Sequence, residues 1–163
     1  MGLPPIHRPK FSAWEAELLI DPDRMELLGL AYDDDGDDDS WEKEFGPRKP
    51  NVRVLPEERF NGFLVRSRVL IPKFTAKRIG TGLADAVMGY DGGSALCFDG
   101  EWGVRVEKGN DWLQLAICFG CHNYTVTSSW NAQEEMRAIG GGPRWLLRKT
   151  YYWYRLANVL RLT

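Results

Sequence analysis

The sequence contains few of the residues that most hydrolases and metal enzymes use for chemistry. Its 163 residues include three cysteines and two histidines, His7 and His122. A cysteine nucleophile needs a base, and His122 is the direct neighbour of Cys121, whereas a nucleophile and its base are usually brought together by the fold. No complete catalytic set is evident, so we predict no catalytic residue and favour a protein that is not an enzyme.

Long apolar runs are also absent. No segment approaches the roughly 20 apolar residues that a membrane-spanning helix requires. Residues 1–5 lack the basic and then apolar order of a secretory signal peptide. We therefore expect a cytoplasmic protein without a membrane span, whose thiols are mostly reduced.

Acidic and basic residues are unevenly distributed, although the net charge is only -2. Residues 15–44 contain thirteen acidic and two basic residues, whereas residues 45–163 contain ten acidic and seventeen basic residues. Such asymmetry indicates an electrostatic face, used either for a partner or for pairing within the protein.

Acidic residues are most concentrated in segment 33–39, which has six aspartates around Gly36. This segment is predicted to be a solvated loop. Its alternate spacing partly matches a calcium-binding loop, with Glu44 at the twelfth position. The sixth position, however, is Asp38 instead of glycine, and Ser40 stands at the eighth position in place of an apolar residue. A solvated charge run is therefore favoured over a calcium site.

Clustered carboxylates can also imitate nucleic-acid phosphates and bind a basic protein surface, which speeds encounter and sets specificity. We therefore predict a partner-binding site in this acidic segment and just beyond it. Its candidate residues are Asp33, Asp34, Asp35, Asp37, Asp38, Asp39, Trp41 and Glu42.

Hydrophobic periodicity predicts an α+β fold, in which an antiparallel meander of about four to five strands packs against helices. Ser12 is a candidate cap for a helix beginning near Ala13, with Glu15 in the first turn. The apolar run at 25–30 is either helix or strand, and the amphipathic segment 74–88 is predicted to be a helix. The predicted strands cover residues 62–71, 94–98, 102–108, 112–119 and 124–128.

Composition divides the chain into three segments of a single domain. Residues 1–56 would form an N-terminal arm, a short helix and the acidic loop, and residues 57–130 the α+β core. Residues 131–163 would form a helical segment with a basic aromatic tail. Within it, Asn131 and Glu134 have the spacing of a capping box, which predicts a helix as far as Ile139.

Three thiols and one histidine are the right number and type of ligands for a tetrahedral zinc site. If residues 112–119 form a strand, Gly120 must break that strand so that the two thiols of the C-x-x-C pair turn to the same side. The candidate metal ligands are Cys97, Cys118, Cys121 and His122, with His7 as an alternative fourth ligand.

The same residues admit other interpretations. Residues 118–122 match the C-x-x-C-H motif of covalent haem attachment, but that attachment occurs outside the reducing cytoplasm. A redox pair would be expected to open a helix, where a thiol pKa is lowered, whereas this pair follows an apolar strand. The simplest alternative is that Cys97 and Cys118 are buried core residues and that no cofactor is bound.

The C-terminal segment 144–163 is aromatic and contains five basic residues and no acidic residue. This composition is typical of contact with nucleic acid or with an anionic membrane surface. The favoured alternative is a helix that packs on the sheet, its arginines solvated or paired with the acidic segment. The residues assigned to a broad apolar face of that helix are Trp145, Leu146, Lys149, Tyr152, Trp153, Leu156, Val159 and Leu160.

Five short motifs occur in a fixed order along the chain, at residues 23–28, 60–65, 97–98, 103–105 and 117–121. In these motifs the sequence resembles an uncharacterised bacterial family of small α+β domains, over about residues 23–126. Members of that family often read Cys-Phe-x-Pro-Arg-His-Gly-Ile-Arg and then Ile-Cys-Phe-x-Cys. Where the family has Pro-Arg-His, this chain has Gly100, Glu101 and Trp102. The resemblance implies an α+β fold and carries no function.

From these features we predict a non-enzymatic cytoplasmic protein-binding domain, of the immunity type that neutralises a toxin with a basic surface. Two other hypotheses are a zinc-stabilised domain and a domain that binds nucleic acid through residues 144–163.

Overall fold

The structure is a computed structural model that describes residues 10–31, 59–92 and 100–161, with side chains as far as residue 158. In chain order the elements are α1 (Ala13–Ile20), β1 (Arg24–Ala31), β2 (Arg59–Phe60), β3 (Phe63–Ile71), α2 (Lys73–Met88), β4 (Trp102–Lys108), β5 (Asp111–Cys118), β6 (Asn123–Ser128), β7 (Glu135–Ala138) and α3 (Arg144–Arg161).

The strands form one antiparallel sheet in the order β2-β3-β1-β4-β5-β6-β7. The α+β class, the antiparallel sheet and the packing against helices are confirmed. The expected number of strands was wrong, because the described sheet has seven strands instead of four to five. The predicted strand at 94–98 and the acidic segment lie outside the described residues.

Strand β1 resolves the ambiguous apolar run near Met25. It pairs with β3 on one side and with β4 on the other, and seven of its eight residues are buried. A strand that is covered on both faces shows no alternation of apolar and polar residues. For that reason periodicity could not distinguish this strand from a helix.

The start of α1 and its close approach to α2 both depend on particular residues. The Ser12 hydroxyl accepts a hydrogen bond from the Glu15 amide at 3.2 Å, and the Glu15 carboxylate accepts one from the Ser12 amide at 2.7 Å. This capping box confirms the predicted start of α1. In α2, a Cβ atom on Gly80 would lie 1.9 Å from the Leu19 carbonyl oxygen, so the close approach of α1 and α2 requires glycine.

The helix predicted from Asn131 to Ile139 is wrong. Residues Glu135–Ala138 form strand β7, which pairs with β6. The Asn131 side chain does not cap a helix; its amide donates to the Glu135 carboxylate at 3.0 Å, and its oxygen accepts from the Gln133 amide at 3.1 Å. Pairing with β6 therefore prevails over the local capping pattern.

The two faces of the sheet are covered by different elements. The three helices pack on one face over the larger apolar cluster, which includes Trp102 and Tyr124. On the other face lies a smaller apolar cluster of Leu28, Leu30, Phe60, Phe63 and Ala116. Both faces therefore carry apolar residues, which accounts for the high burial of β1.

The β2–β3 hairpin curls over that second face. Its turn is the dipeptide Asn61-Gly62, and both residues have positive φ values, 46° and 83°, as a two-residue hairpin turn requires. The Asn61 amide donates to the Thr125 hydroxyl at 3.2 Å and its oxygen accepts from the Thr127 hydroxyl at 2.9 Å. Because β2 and β6 are not neighbours in the sheet order, these bonds show that the hairpin turn reaches across the second face to β6.

Candidate functional site

The C-x-x-C segment forms the tight turn between β5 and β6. The Cys118 and Cys121 side chains are buried, and no disulfide joins the two sulfurs. The Cys121 amide donates to the Cys118 sulfur at 3.2 Å, and the His122 amide donates to the Phe119 carbonyl at 3.4 Å. The chain does break after Cys118, as the zinc hypothesis required.

His122 has a different environment from the Cys118 sulfur. Its φ of 56° lies in the left-handed region. Its Nδ1 atom lies 3.2 Å from the Ile139 carbonyl, and its ring stacks on Tyr90 with a centroid distance of 5.3 Å. Among the residues described, no group of three or more His, Cys, Asp or Glu side chains could hold a metal ion. Cys97 and His7 lie outside the described residues, so the four-ligand zinc site stays a prediction.

The predicted partner-binding residues are also outside the described part of the chain. They are Asp33, Asp34, Asp35, Asp37, Asp38, Asp39, Trp41 and Glu42. Their proposed role in partner binding therefore also stays a prediction.

A buried cluster of charged residues joins α1 to β7. The Arg137 guanidinium contacts the Glu15 carboxylate at 2.9 Å and the Glu135 carboxylate at 2.7 Å, and the Glu15 and Arg137 side chains are both nearly buried. Burial lowers the pKa of Arg137, but the hydrogen bonds that its guanidinium donates to Glu15 and Glu135 outweigh this effect and raise the pKa overall. Burial also raises the pKa of the nearby Tyr124 phenol, against the opposing charge of Arg137.

A cleft of about 290 Å³ adjoins this cluster, and its lining includes Lys10, Ser128 and Asn131. Because Glu15 both caps α1 and binds Arg137, its carboxylate is already used in holding the fold together. We therefore interpret the cluster as a structural connection between α1 and the sheet.

Helix α3 packs on the protein through one side. Leu147 and Tyr151 are fully buried there. The Tyr151 hydroxyl hydrogen-bonds to the Ser67 hydroxyl, and its ring meets Trp102 edge-on at 5.2 Å. The Tyr154 hydroxyl lies 3.0 Å from the Thr75 hydroxyl of α2. The packing of a C-terminal helix on the sheet is therefore confirmed, whereas the pairing of its arginines with the acidic segment at 33–39 stays a prediction.

The other side of α3 presents large apolar residues to solvent. Trp145 is 64% exposed, Trp153 68% and Leu156 56%. The exposed Arg148 and Lys149 lie among them, and the Lys149 ammonium is 4.8 Å from the centre of the Trp145 ring. We call this set, Trp145, Arg148, Lys149, Trp153 and Leu156, the α3 surface.

A groove runs between the α3 surface and helix α2. Its volume is about 450 Å³, and its lining includes Thr75 and Arg78 of α2 together with Tyr152 of α3. Helix α3 itself has five basic residues and no acidic residue. The arrangement offers apolar contact and positive charge in the same place, which is suited to binding an anionic ligand.

The apolar face that the sequence suggested for α3 was not the buried one. Trp145, Trp153 and Leu156 were assigned to that face, whereas the fully buried residues are Leu147 and Tyr151. Leu147, Tyr151 and Tyr154 recur at spacings of four and three residues, so this stripe is visible in the sequence. Aromatic residues around most of the helix made the choice between stripes ambiguous.

Comparisons with protein-family models, with curated proteins and with solved structures found no match to this chain. The family resemblance therefore stays a prediction. Among the helices that the structure describes, none is long and apolar enough to cross a membrane.

Proposed function

We propose that this protein is a non-enzymatic binding domain and that the α3 surface binds an anionic macromolecule. The observation that supports the proposal is the exposure of Trp145 and Trp153 on a helix with five basic residues and no acidic one. Exposed large apolar side chains in one patch usually mark an interaction site. Tryptophan and arginine are also the residues that contribute most to binding energy at interfaces.

The charge of the surroundings supports the same ligand class. Helix α2, which lies beside α3, has Lys73, Lys77 and Arg78 in its first half and one acidic residue, Asp85. Positive charge therefore extends from the α3 surface onto α2. Nucleic acid and an anionic lipid surface, the two ligands with which the composition of residues 144–163 is compatible, both have the matching negative charge.

The salt concentration that elutes the protein from immobilised heparin, a soluble polyanion, tests this proposal. We expect Arg148→Ala/Lys149→Ala to elute at clearly lower salt than the wild-type protein, because fewer counterions are released on binding. Arg105→Ala/Lys108→Ala is the control, since it removes two positive charges from β4, where both side chains pair with carboxylates. Equal elution of both double variants would contradict the assignment to α3, and no retention of the wild-type protein at low salt would contradict the proposal itself.

The toxin-neutralising role is a second proposal, and it rests on the acidic segment. A chain in which Asp33, Asp35, Asp37 and Asp39 are replaced by Asn should lose a stoichiometric partner that the wild-type protein recovers from native lysate. Identical recovery with both chains would argue against this role.

The zinc hypothesis has an independent test. Elemental analysis of protein purified without chelator should find about one zinc ion per chain if Cys97, Cys118, Cys121 and a histidine bind it. Negligible zinc, with a melting temperature unchanged by EDTA, would exclude the site.

A further inference from the structure

We infer that the anionic macromolecule bound by the α3 surface is a phospholipid bilayer with anionic headgroups, on which α3 lies in the plane of the interface. This inference rests on the proposed function and specifies its ligand. The protein would attach to the membrane surface and would not cross it.

Four exposed residues of the α3 surface form a stripe along one side of the helix, which we call the crest, and this stripe also borders the groove between α3 and α2. Trp145, Lys149, Trp153 and Leu156 are separated by four, four and three positions, so they lie on one side of the helix. With a rise of 1.5 Å per residue, the crest extends over roughly 16 Å. Leu147 and Tyr151, which are fully buried, lie on the opposite side. An exposed stripe on a helix that is fixed to the fold can contact a flat boundary without rearrangement.

Helix α2 extends the crest at one end. Phe74 is 87% exposed, and it directly precedes Thr75, whose hydroxyl bonds to Tyr154 of α3. Phe74 therefore lies near the part of α3 that contains Trp153. Lys73 and Lys77 are exposed on either side of it in sequence. An apolar residue between lysines suits the headgroup boundary, where lysine stems contact acyl chains and the ammonium groups stay in water.

The identity of the apolar residues favours lipid over nucleic acid. Proteins bind single strands by stacking bases on aromatic rings, but Leu156, at 56% exposure, has no ring on which a base could stack. The ring of Trp145 has the Lys149 ammonium 4.8 Å from its centre, which leaves less of the ring for a base. Tryptophan, phenylalanine and leucine beside basic residues are the composition of helices that lie in a membrane interface.

Positive charge around the crest predicts a preference for anionic lipid. Lysine and arginine side chains near an anionic bilayer strengthen binding, and Lys149 lies within the crest with Arg148 next to it in the helix. A short apolar crest alone gives weak binding. We therefore expect binding that requires both the apolar residues and the anionic lipid, and that is reversed by salt.

Vesicle co-sedimentation tests the inference with the full chain. We expect binding to phosphatidylcholine–phosphatidylglycerol vesicles to be about tenfold tighter than binding to phosphatidylcholine vesicles. The variant Trp153→Ala/Leu156→Ala should lose about tenfold in affinity for the mixed vesicles. The matched control is Leu70→Ala/Met136→Ala, which truncates two residues that are 54% and 52% exposed on strands, and it should bind as the wild-type protein does.

A measurement on the wild-type chain avoids any effect of the substitutions on folding. Mixed vesicles with brominated acyl chains should quench part of the tryptophan fluorescence, because bromine quenches indoles that enter the acyl boundary. No quenching, or equal binding of both double variants, would overturn the placement of α3 in the interface.

Oligonucleotide probes separate failure of this inference from failure of the proposed function. Binding to a single-stranded thymidine oligomer or to a DNA duplex, without binding to mixed vesicles, would overturn the lipid assignment and leave the proposed function standing. Failure to bind heparin, oligonucleotide and mixed vesicles at low salt would overturn both. Equal affinity for neutral and mixed vesicles would overturn the anionic preference.

Discussion

Arg137 and the basic residues of the α3 surface carry the same charge in opposite surroundings. Arg137 is nearly buried and lies between Glu15 and Glu135, whereas Arg148 and Lys149 are exposed on a helix that has no acidic residue. In the first region the charge is matched inside the fold, so it stabilises the fold and is not offered to a partner. In the second region the positive charge is solvated and lies beside exposed apolar area, so both are accessible to a partner. Charge alone therefore does not identify a binding surface; the burial of the charge and its neighbours do.

The largest effect should come from breaking the buried cluster. Arg137→Ala leaves the Glu15 carboxylate buried without its guanidinium, and removal of one partner of a buried ion pair costs about 3–5 kcal/mol. Urea unfolding at neutral pH measures the loss. The exposed counterpart Arg148→Ala should change the free energy of unfolding by less than about 0.5 kcal/mol. Similar losses for the two variants would remove the distinction between the two regions.

Substitutions on the buried and exposed sides of α3 should differ in their effect on the free energy of unfolding nearly as much as Arg137→Ala and Arg148→Ala do. Leu147→Ala creates a cavity under the helix and should cost about 2–5 kcal/mol. Trp153→Ala removes a larger but mostly exposed side chain and should cost less than about 0.5 kcal/mol. Thermal and urea unfolding of the two variants provide the comparison. A large loss for Trp153→Ala would mean that its indole supports the fold, which would weaken its assignment to a ligand.

The phenol beside Arg137 predicts a pH dependence. Burial raises the pKa of Tyr124 above its ordinary value of 10.0, so the folded state keeps a proton that the unfolded state loses. The contribution of Tyr124 to stability is therefore fully present below about pH 10 and is lost as the pH rises above that value. When urea unfolding is measured from below to above about pH 10, the free energy of unfolding should fall less for Tyr124→Phe than for the wild-type protein. If the free energy of unfolding changed with pH in the same way for both proteins, the raised pKa of Tyr124 would be contradicted.

The smallest effect should be that of salt on the buried cluster. Screening shortens the range of exposed charges and acts much less on buried pairs. The coupling between Glu15 and Arg137, measured by a cycle of Glu15→Gln, Arg137→Met and the double variant, should therefore change little as salt is raised. In contrast, the salt concentration that elutes the protein from heparin should be clearly lower for Arg148→Ala/Lys149→Ala than for the wild-type protein. If salt weakened the Glu15–Arg137 coupling as strongly as it weakens heparin binding, the two regions would be electrostatically alike.

Local sequence signals predicted the elements that depend on local interactions. The cap at Ser12, the helix at 74–88 and the strands at 62–71, 102–108, 112–119 and 124–128 all match the described elements to within a few residues. The turn Asn61-Gly62 is also a local signal, and read as a hairpin turn it would have indicated β2.

Elements that depend on distant partners were not predicted. Strand β1 lacks alternation because both of its faces are covered, and β7 has a capping-box pattern but pairs with β6. Likewise, the left-handed backbone of His122 directs its ring onto Tyr90, and no sequence rule gives that direction. The candidate surface was predicted by composition, but which residues of α3 face outward follows from the contacts of Tyr151 and Tyr154.

The central place of β1 also has a consequence for how the chain reaches its native state. Strands β4 to β7 can associate one after another through short connections, whereas Leu27 of β1 pairs with Val69 and with Val104, both far along the chain. Such pairings raise the contact order, and folding slows as contact order rises. We expect the β4–β7 meander to form early and the insertion of β1 to limit the rate, so that Val126→Ala in the meander slows refolding, whereas Leu27→Ala mainly speeds unfolding.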